Sequence, residues 1–87
     1  MAIRSAQIPV PRDDSLHLRP MQVLVEKAGN FRAKLRLSRG GKDADAKCIF
    51  DVMLLAAEKG PLVLEAEGSD ADAAVDALVG LLEEEFN

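Results

Sequence analysis

Phe31-Arg32-Ala33-Lys34-Leu35-Arg36-Leu37 carries the clearest pattern in this chain. Phe31, Ala33, Leu35 and Leu37 alternate with Arg32, Lys34 and Arg36, so an extended segment would be apolar on one face and charged on the other, which is the period of a half-buried strand. Gly40-Gly41 follows where a tight turn needs residues that tolerate positive φ, and Lys42 to Ala46 reads as a short returning strand. On the N-terminal side, Ile3 to Val10 reads as a strand with Ile8 and Val10 on one face. Its Pro9 donates no backbone hydrogen bond, which places this strand at a sheet edge. Further on, Leu62, Leu64 and Ala66 share one side of a strand over 62–67.

Helical spacing fills the gaps. Met21, Leu24, Val25 and Ala28 mark a helix over Leu18 to Ala28, with Pro20 in its first turn and Gly29-Asn30 as its stop. A shorter helix is predicted from Cys48 to Glu58, ending at Gly60-Pro61. Gly68 and Ser69-Asp70 open a last helix that buries Ala71, Ala74, Val75, Leu78, Leu81 and Leu82. The order β-α-β-β-α-β-α predicts an α+β fold: an open-faced β-sandwich whose four-stranded, mostly antiparallel sheet carries three helices on one face. Arg32, Lys34 and Arg36 would then face solvent on the other. Without a repeat or linker, 1–87 reads as a single domain. In the short helix, Val52, Leu55 and Ala56 suit the core, while Ile49, Phe50 and Met53 fill much of the remaining circumference. Deep burial and a partner interface both fit that pattern.

At 48% hydrophobic and 30% charged residues, the composition is that of a folded globular chain. The net charge of −4, with Asp70, Asp72, Asp76 and Glu83 to Glu85 gathered late, opposes a nucleic-acid role for Arg32, Lys34 and Arg36, as does the lack of tyrosine and tryptophan. No apolar run approaches a bilayer span, and the start MAIRSAQIPV has no long apolar centre, so no membrane insertion is expected. The single cysteine, Cys48, forms no internal disulfide, and the cytoplasm is the expected compartment. One histidine and one cysteine do not make a zinc set, and no base and nucleophile pair suggests a hydrolase; no metal or cofactor is expected.

Chemistry concentrates in Asp14-Ser15-Leu16-His17-Leu18-Arg19-Pro20. His17 stands just before a helix whose first amides have no partner within the helix. Since Pro20 lacks an N–H, the backbone donors of Leu18 and Arg19 are the ones nearest it, and an anion is stabilised there. Arg19 adds a planar, permanently charged fork suited to phosphate oxygens. From these residues alone, a histidine beside a helix start is more often a cap, a packing residue or an exposed side chain than a phosphoryl carrier. Leu16-His17-Leu18-Arg19-Pro20, the element order, Gly40-Gly41-Lys42, Ala44 to Lys47, Lys47-Cys48-Ile49-Phe50 and Ala66-Glu67-Gly68 together resemble HPr, the histidine phosphocarrier family of the bacterial phosphotransferase system. The likeness covers nearly the whole chain without an evident insertion.

The resemblance implies a monomeric phosphoryl-transfer intermediate rather than a self-standing turnover enzyme. Enzyme I, charged by phosphoenolpyruvate, would phosphorylate His17 at Nδ1, and a IIA domain would take the group. Arg19 would stabilise the phosphoryl group, helped by the backbone of Leu18 and Arg19. Leu18, Gln22, Ile49, Phe50 and Met53 would form the docking surface. The alternative is an HPr-like regulatory module whose phosphorylation state signals to partners. Several residues depart from the family pattern. Ser15 replaces the usual glycine before Leu16-His17, Leu18 is bulky where small or hydroxylic residues are common, and Glu26 and Asp51 replace lysines. Asp13 and Asp14 could orient the imidazole or repel an anion. Cys48 stands at the regulatory serine position, where a thiol gives a serine kinase no hydroxyl; the same residue reads as redox-active or, more simply, as packing.

Overall fold

Residues 3–13 and 15–86 are described by the computed structural model. The alternating and helical patterns become strand β1 (Ile3–Ile8), helix α1 (Leu18–Ala28), strands β2 (Lys34–Arg39) and β3 (Lys42–Asp45), helix α2 (Ile49–Leu54) with a 3-10 turn at Leu55–Ala57, strand β4 (Leu62–Glu67) and helix α3 (Ala71–Glu85). All strand pairs are antiparallel and the sheet order is β1-β4-β2-β3, so β1 lies at an edge as Pro9 requires. The apolar face of the sheet, built on Leu35, Leu37, Leu62, Leu64 and Ala66, meets Met21, Leu24 and Ala28 of α1 and Ala74, Val75, Leu78 and Leu82 of α3. Val52 and Leu55 close the core from the α2 side.

Several boundaries differ from those expected. Strand β1 ends at Ile8, opposite Leu62, because the next residue is the proline that cannot extend the ladder. The second strand starts at Lys34 rather than Phe31. The amides of Arg32 and Ala33 donate instead to the carboxylate of Asp70, at 2.8 Å each, so this segment is tied to the start of α3 and not to a neighbouring strand. At its other end β2 runs on to Arg39, which continues the inward parity of Ala33, Leu35 and Leu37 and is buried. Its Nε donates to the Gly60 carbonyl at 2.9 Å. Gly40 and Gly41, at φ 57° and 82°, make the two-residue turn that pairs Arg39 with Lys42. Continuous helix in α2 stops at Leu54, short of Glu58. In α3, Leu81 is half-buried while Leu82 takes the core position.

Asp70 is the N-cap residue of α3 but its side chain makes no capping bond, its carboxylate being engaged by the two loop amides. Those donors, the Arg32 amide foremost, hold the Asp70 carboxyl below its ordinary value of 3.8. A depressed folded-state value stabilises the fold above the unfolded value, and this contribution fades as pH falls through the lower folded one. The Asp70→Ala chain is therefore expected to be less stable at neutral pH and to lose less stability on acidification than the parent. Urea midpoints measured from neutral pH to the acid side of 3.8 check this, and parallel curves would contradict it.

The open sheet face is charged in both signs. Arg36 lies opposite Glu65 in register and pairs with it at 2.6 Å, with Asp43 at 3.9 Å, and Lys34 lies opposite Glu67. The basic row of β2 is thus interleaved with acidic neighbours.

Candidate functional site

Leu16 is buried and Met21 and Leu24 are fully so, which anchors the chain on either side of His17 and turns His17, Leu18 and Arg19 outward. His17 has extended dihedrals (φ −79°, ψ 157°) and is the N-cap residue of α1, yet its side chain makes no capping bond. Its carbonyl accepts from the Met21 amide at 3.4 Å. The amides of Leu18 and Arg19 lie in the first turn, where the helix offers them no acceptor, and Pro20 has none to offer. Arg19 is exposed and has no ion-pair partner among the described residues.

The imidazole is held from one side. Its Nε2 lies 3.0 Å from the Ser15 Oγ, and the Ser15 hydroxyl donates to Oδ1 of Asp13 at 2.7 Å. The Ser15 amide donates to the same oxygen at 3.2 Å. The Ser15 hydroxyl, then its amide, and also the His17 ring hold the Asp13 carboxyl below 3.8. Asp13 therefore contacts the histidine through Ser15. Asp14, the acid next to it, lies outside the described residues. An acid and a hydroxyl at alternate positions before the histidine, Asp13-x-Ser15-x-His17, are the available signal in the sequence. Against the family pattern, Ser15 reads only as a missing glycine.

Helices α1 and α2 are neighbours, and both expose large apolar side chains. Phe50 is 82% exposed, Leu54 68% and Leu18 51%, and Gln22 is also exposed. Ile49 and Met53 are half-buried and packed against the core, so they support these exposed side chains more than they join them. Leu54 is absent from the sequence-derived set, although its i+4 spacing from Phe50 places it on the same helical face. Glu26 and Asp51, on these two helices, are exposed and half-buried respectively. Cys48 is half-buried and is the N-cap residue of α2, without a side-chain capping bond. A broad groove lies elsewhere, on the open sheet face among Arg32, Lys34, Arg36, Asp43, Glu65 and Glu67. The described residues contain no cluster of three or more His, Cys, Asp or Glu able to hold a metal ion, and no helix long and apolar enough to cross a membrane.

An antiparallel open-faced sandwich that displays a lone histidine at a helix mouth, beside an arginine and with exposed apolar side chains on two helices, defines a class of small histidine-bearing domains. Residues 4–84 match the family model described as "PTS HPr component phosphorylation site", and the chain belongs to the HPr family of the phosphotransferase system. It is 44% identical over 72 residues to phosphocarrier protein HPr of Cupriavidus necator, covering 82% of this chain and 81% of that one. The crystal structure of HPr from Bacillus anthracis superposes with a TM-score of 0.81 at 29% identity, covering 94% and 99% of the two chains. An HPr dimer from Thermoanaerobacter tengcongensis superposes at 0.72 with 34% identity, over 94% and 95%. That relative crystallised as a dimer, so family membership does not carry the expected monomer.

Proposed function

We propose that the chain accepts a phosphoryl group on Nδ1 of His17 from phosphorylated enzyme I, ultimately from phosphoenolpyruvate, and hands it to a IIA domain in the cytoplasm. The observation that carries this reading is the exposed imidazole at the mouth of α1, outside any capping role and next to two helix amides without helical acceptors and an arginine without an ion pair among the described residues. The Nδ1 lone pair forms the N–P bond while the bond from phosphorus to its donor atom breaks, the donor keeping that electron pair. Arg19 and the Leu18 and Arg19 amides meet the charge on the three outer oxygens. A surface site with few donors holds the group loosely enough to be passed on, and the second protein supplies the remaining enclosure, so no cavity is required. Incubation with the cognate enzyme I, phosphoenolpyruvate and magnesium should place one acid-labile phosphate on the chain; absence of label under those conditions would overturn the reading.

Docking falls to Leu18, Gln22, Phe50 and Leu54, backed by Ile49 and Met53. Phe50→Ala removes an exposed aromatic that the core does not need, so the fold should persist while the half-saturating concentration for enzyme I rises about tenfold, a usual loss for an aromatic anchor. A second reading draws on Glu26, Asp51 and the bulk of Leu18 beside the histidine: a regulatory docking module with a partner whose charges differ from those met by lysine-bearing relatives. Capture experiments separate the two. A docking module would retain its partner after His17→Ala and lose it after Phe50→Ala. Cys48 gives a serine kinase no hydroxyl, so that form of control is absent in either case.

A further inference from the structure

The contacts of Ser15 constrain where the protons lie. Ser15 has a single hydroxyl hydrogen, and an ionised carboxylate only accepts. The 2.7 Å approach of Ser15 Oγ to Asp13 Oδ1 therefore takes that hydrogen, and the 3.0 Å contact to His17 must be filled by a hydrogen on Nε2. The chain of bonds runs head to tail, from Nε2–H to Oγ and from Oγ–H to Oδ1. In a neutral imidazole a proton on Nε2 leaves Nδ1 bare. We propose that Ser15 and Asp13 are positioning residues that hold His17 as the Nε2–H tautomer and share the positive charge that phosphoryl attack through Nδ1 leaves on the ring.

This inference rests on the phosphocarrier reading and adds its proton chemistry. When the Nδ1 lone pair bonds to phosphorus and Nε2 keeps its hydrogen, the ring acquires a formal positive charge. The Asp13 anion sits two hydrogen bonds away, along a path whose polarity already matches that charge. An aspartate that orients a histidine and stabilises the imidazolium formed during reaction does the same work in hydrolytic triads; here a serine hydroxyl is interposed. Ser15 takes the place of a glycine in the family pattern, and a glycine has no side chain to relay anything. The same bonds set the direction of the ring, since Nε2 is drawn toward Ser15 and the opposite edge of the imidazole faces away from it.

His17 is the only histidine, so its ring nitrogens can be read in the intact protein by nitrogen NMR without assignment ambiguity. At a pH where the ring is neutral, the parent should show a hydrogen-bonded proton on Nε2 and a bare Nδ1. Ser15→Ala should raise the share of the other tautomer and speed exchange of the ring proton with water, and Ser15→Thr, which keeps the hydroxyl, should restore the parent spectrum. In single-turnover assays with phosphorylated enzyme I, Ser15→Ala should lower the maximal rate about fivefold, the worth of one ordinary hydrogen bond, with the half-saturating concentration unchanged. Identical ring spectra for parent and Ser15→Ala would overturn the proposal while leaving phosphoryl carriage standing. Shifted spectra with an unchanged rate would overturn the charge-sharing half. Shifted spectra in a chain that takes no phosphate would overturn the carrier reading and, with it, the catalytic half.

Discussion

His17→Ala is expected to abolish phosphoryl acceptance completely while leaving the fold as stable as the parent to within about 0.5 kcal/mol. The two halves of this expectation come from different facts. No second histidine exists to take over the nucleophile's work, and Ser15, its hydroxyl committed to Asp13, lacks the bare ring nitrogen the reaction uses. The imidazole, meanwhile, is exposed and makes no capping bond, so α1 does not depend on it for its first turn. Its backbone carbonyl, which accepts from Met21, is kept in alanine. Label transfer from phosphorylated enzyme I and urea midpoints on the same preparations test both halves together. Acid-labile phosphate on the alanine variant would refute the assignment of the carrier residue, and a large fall in midpoint would mean that His17 has a structural task its contacts do not show.

Legibility in the sequence differs by element. The strand around Leu35 and the strand from Leu62 to Glu67 are readable because their side chains alternate between a buried and a more exposed face, and burial enforces the register of such strands. The start of β2 is not readable, since Phe31 to Ala33 continue the same alternation and only a carboxylate 37 residues away in sequence, at Asp70, takes the amides out of the ladder. Arg39 is hidden for a related reason: a charged residue ends the apolar run, yet parity and the Gly60 carbonyl carry it inward. At the candidate site, the positions of His17 at the mouth of α1 and of Arg19 in its first turn are legible through the helix start, and the exposure of Phe50 through the surplus of apolar residues on a short helix. Leu54 is equally open to reading, since it stands four residues after Phe50 on the same helix, but its position at the helix end keeps it out of the pattern that marks Phe50. For Ser15 the spacing Asp13-x-Ser15-x-His17 is the only signal in the sequence, and which of two acceptors its single hydrogen reaches is set by geometry alone.

Gly68→Ala is expected to cost about 2–4 kcal/mol, a large part of the roughly 5–10 kcal/mol that holds a domain of this size. Gly68 leaves β4 at φ +147°, a backbone conformation that side chains resist, and a Cβ there would lie 2.9 Å from the Cα of Ala33. The obstacle is backbone, so no rotamer change relieves it. Ala33 cannot retreat inward, because it is itself buried in the core. Moving it outward breaks the bonds from the Arg32 and Ala33 amides to Asp70, two residues after the substitution, and so detaches the start of α3 from the loop before β2. Strain, overlap and lost hydrogen bonds therefore add at one place. At about 4–8 °C per kcal/mol for a chain of this length, the melting temperature should fall by roughly 8–32 °C. Gly80→Ala supplies the control, since Gly80 lies within α3 and an added methyl there would meet nothing within 4 Å; alanine should raise stability by about 0.5–1 kcal/mol. A Gly68→Ala chain that melts with the parent would mean that the β4–α3 junction yields freely, and the tie between Asp70 and the loop would then be too slack to explain where β2 begins.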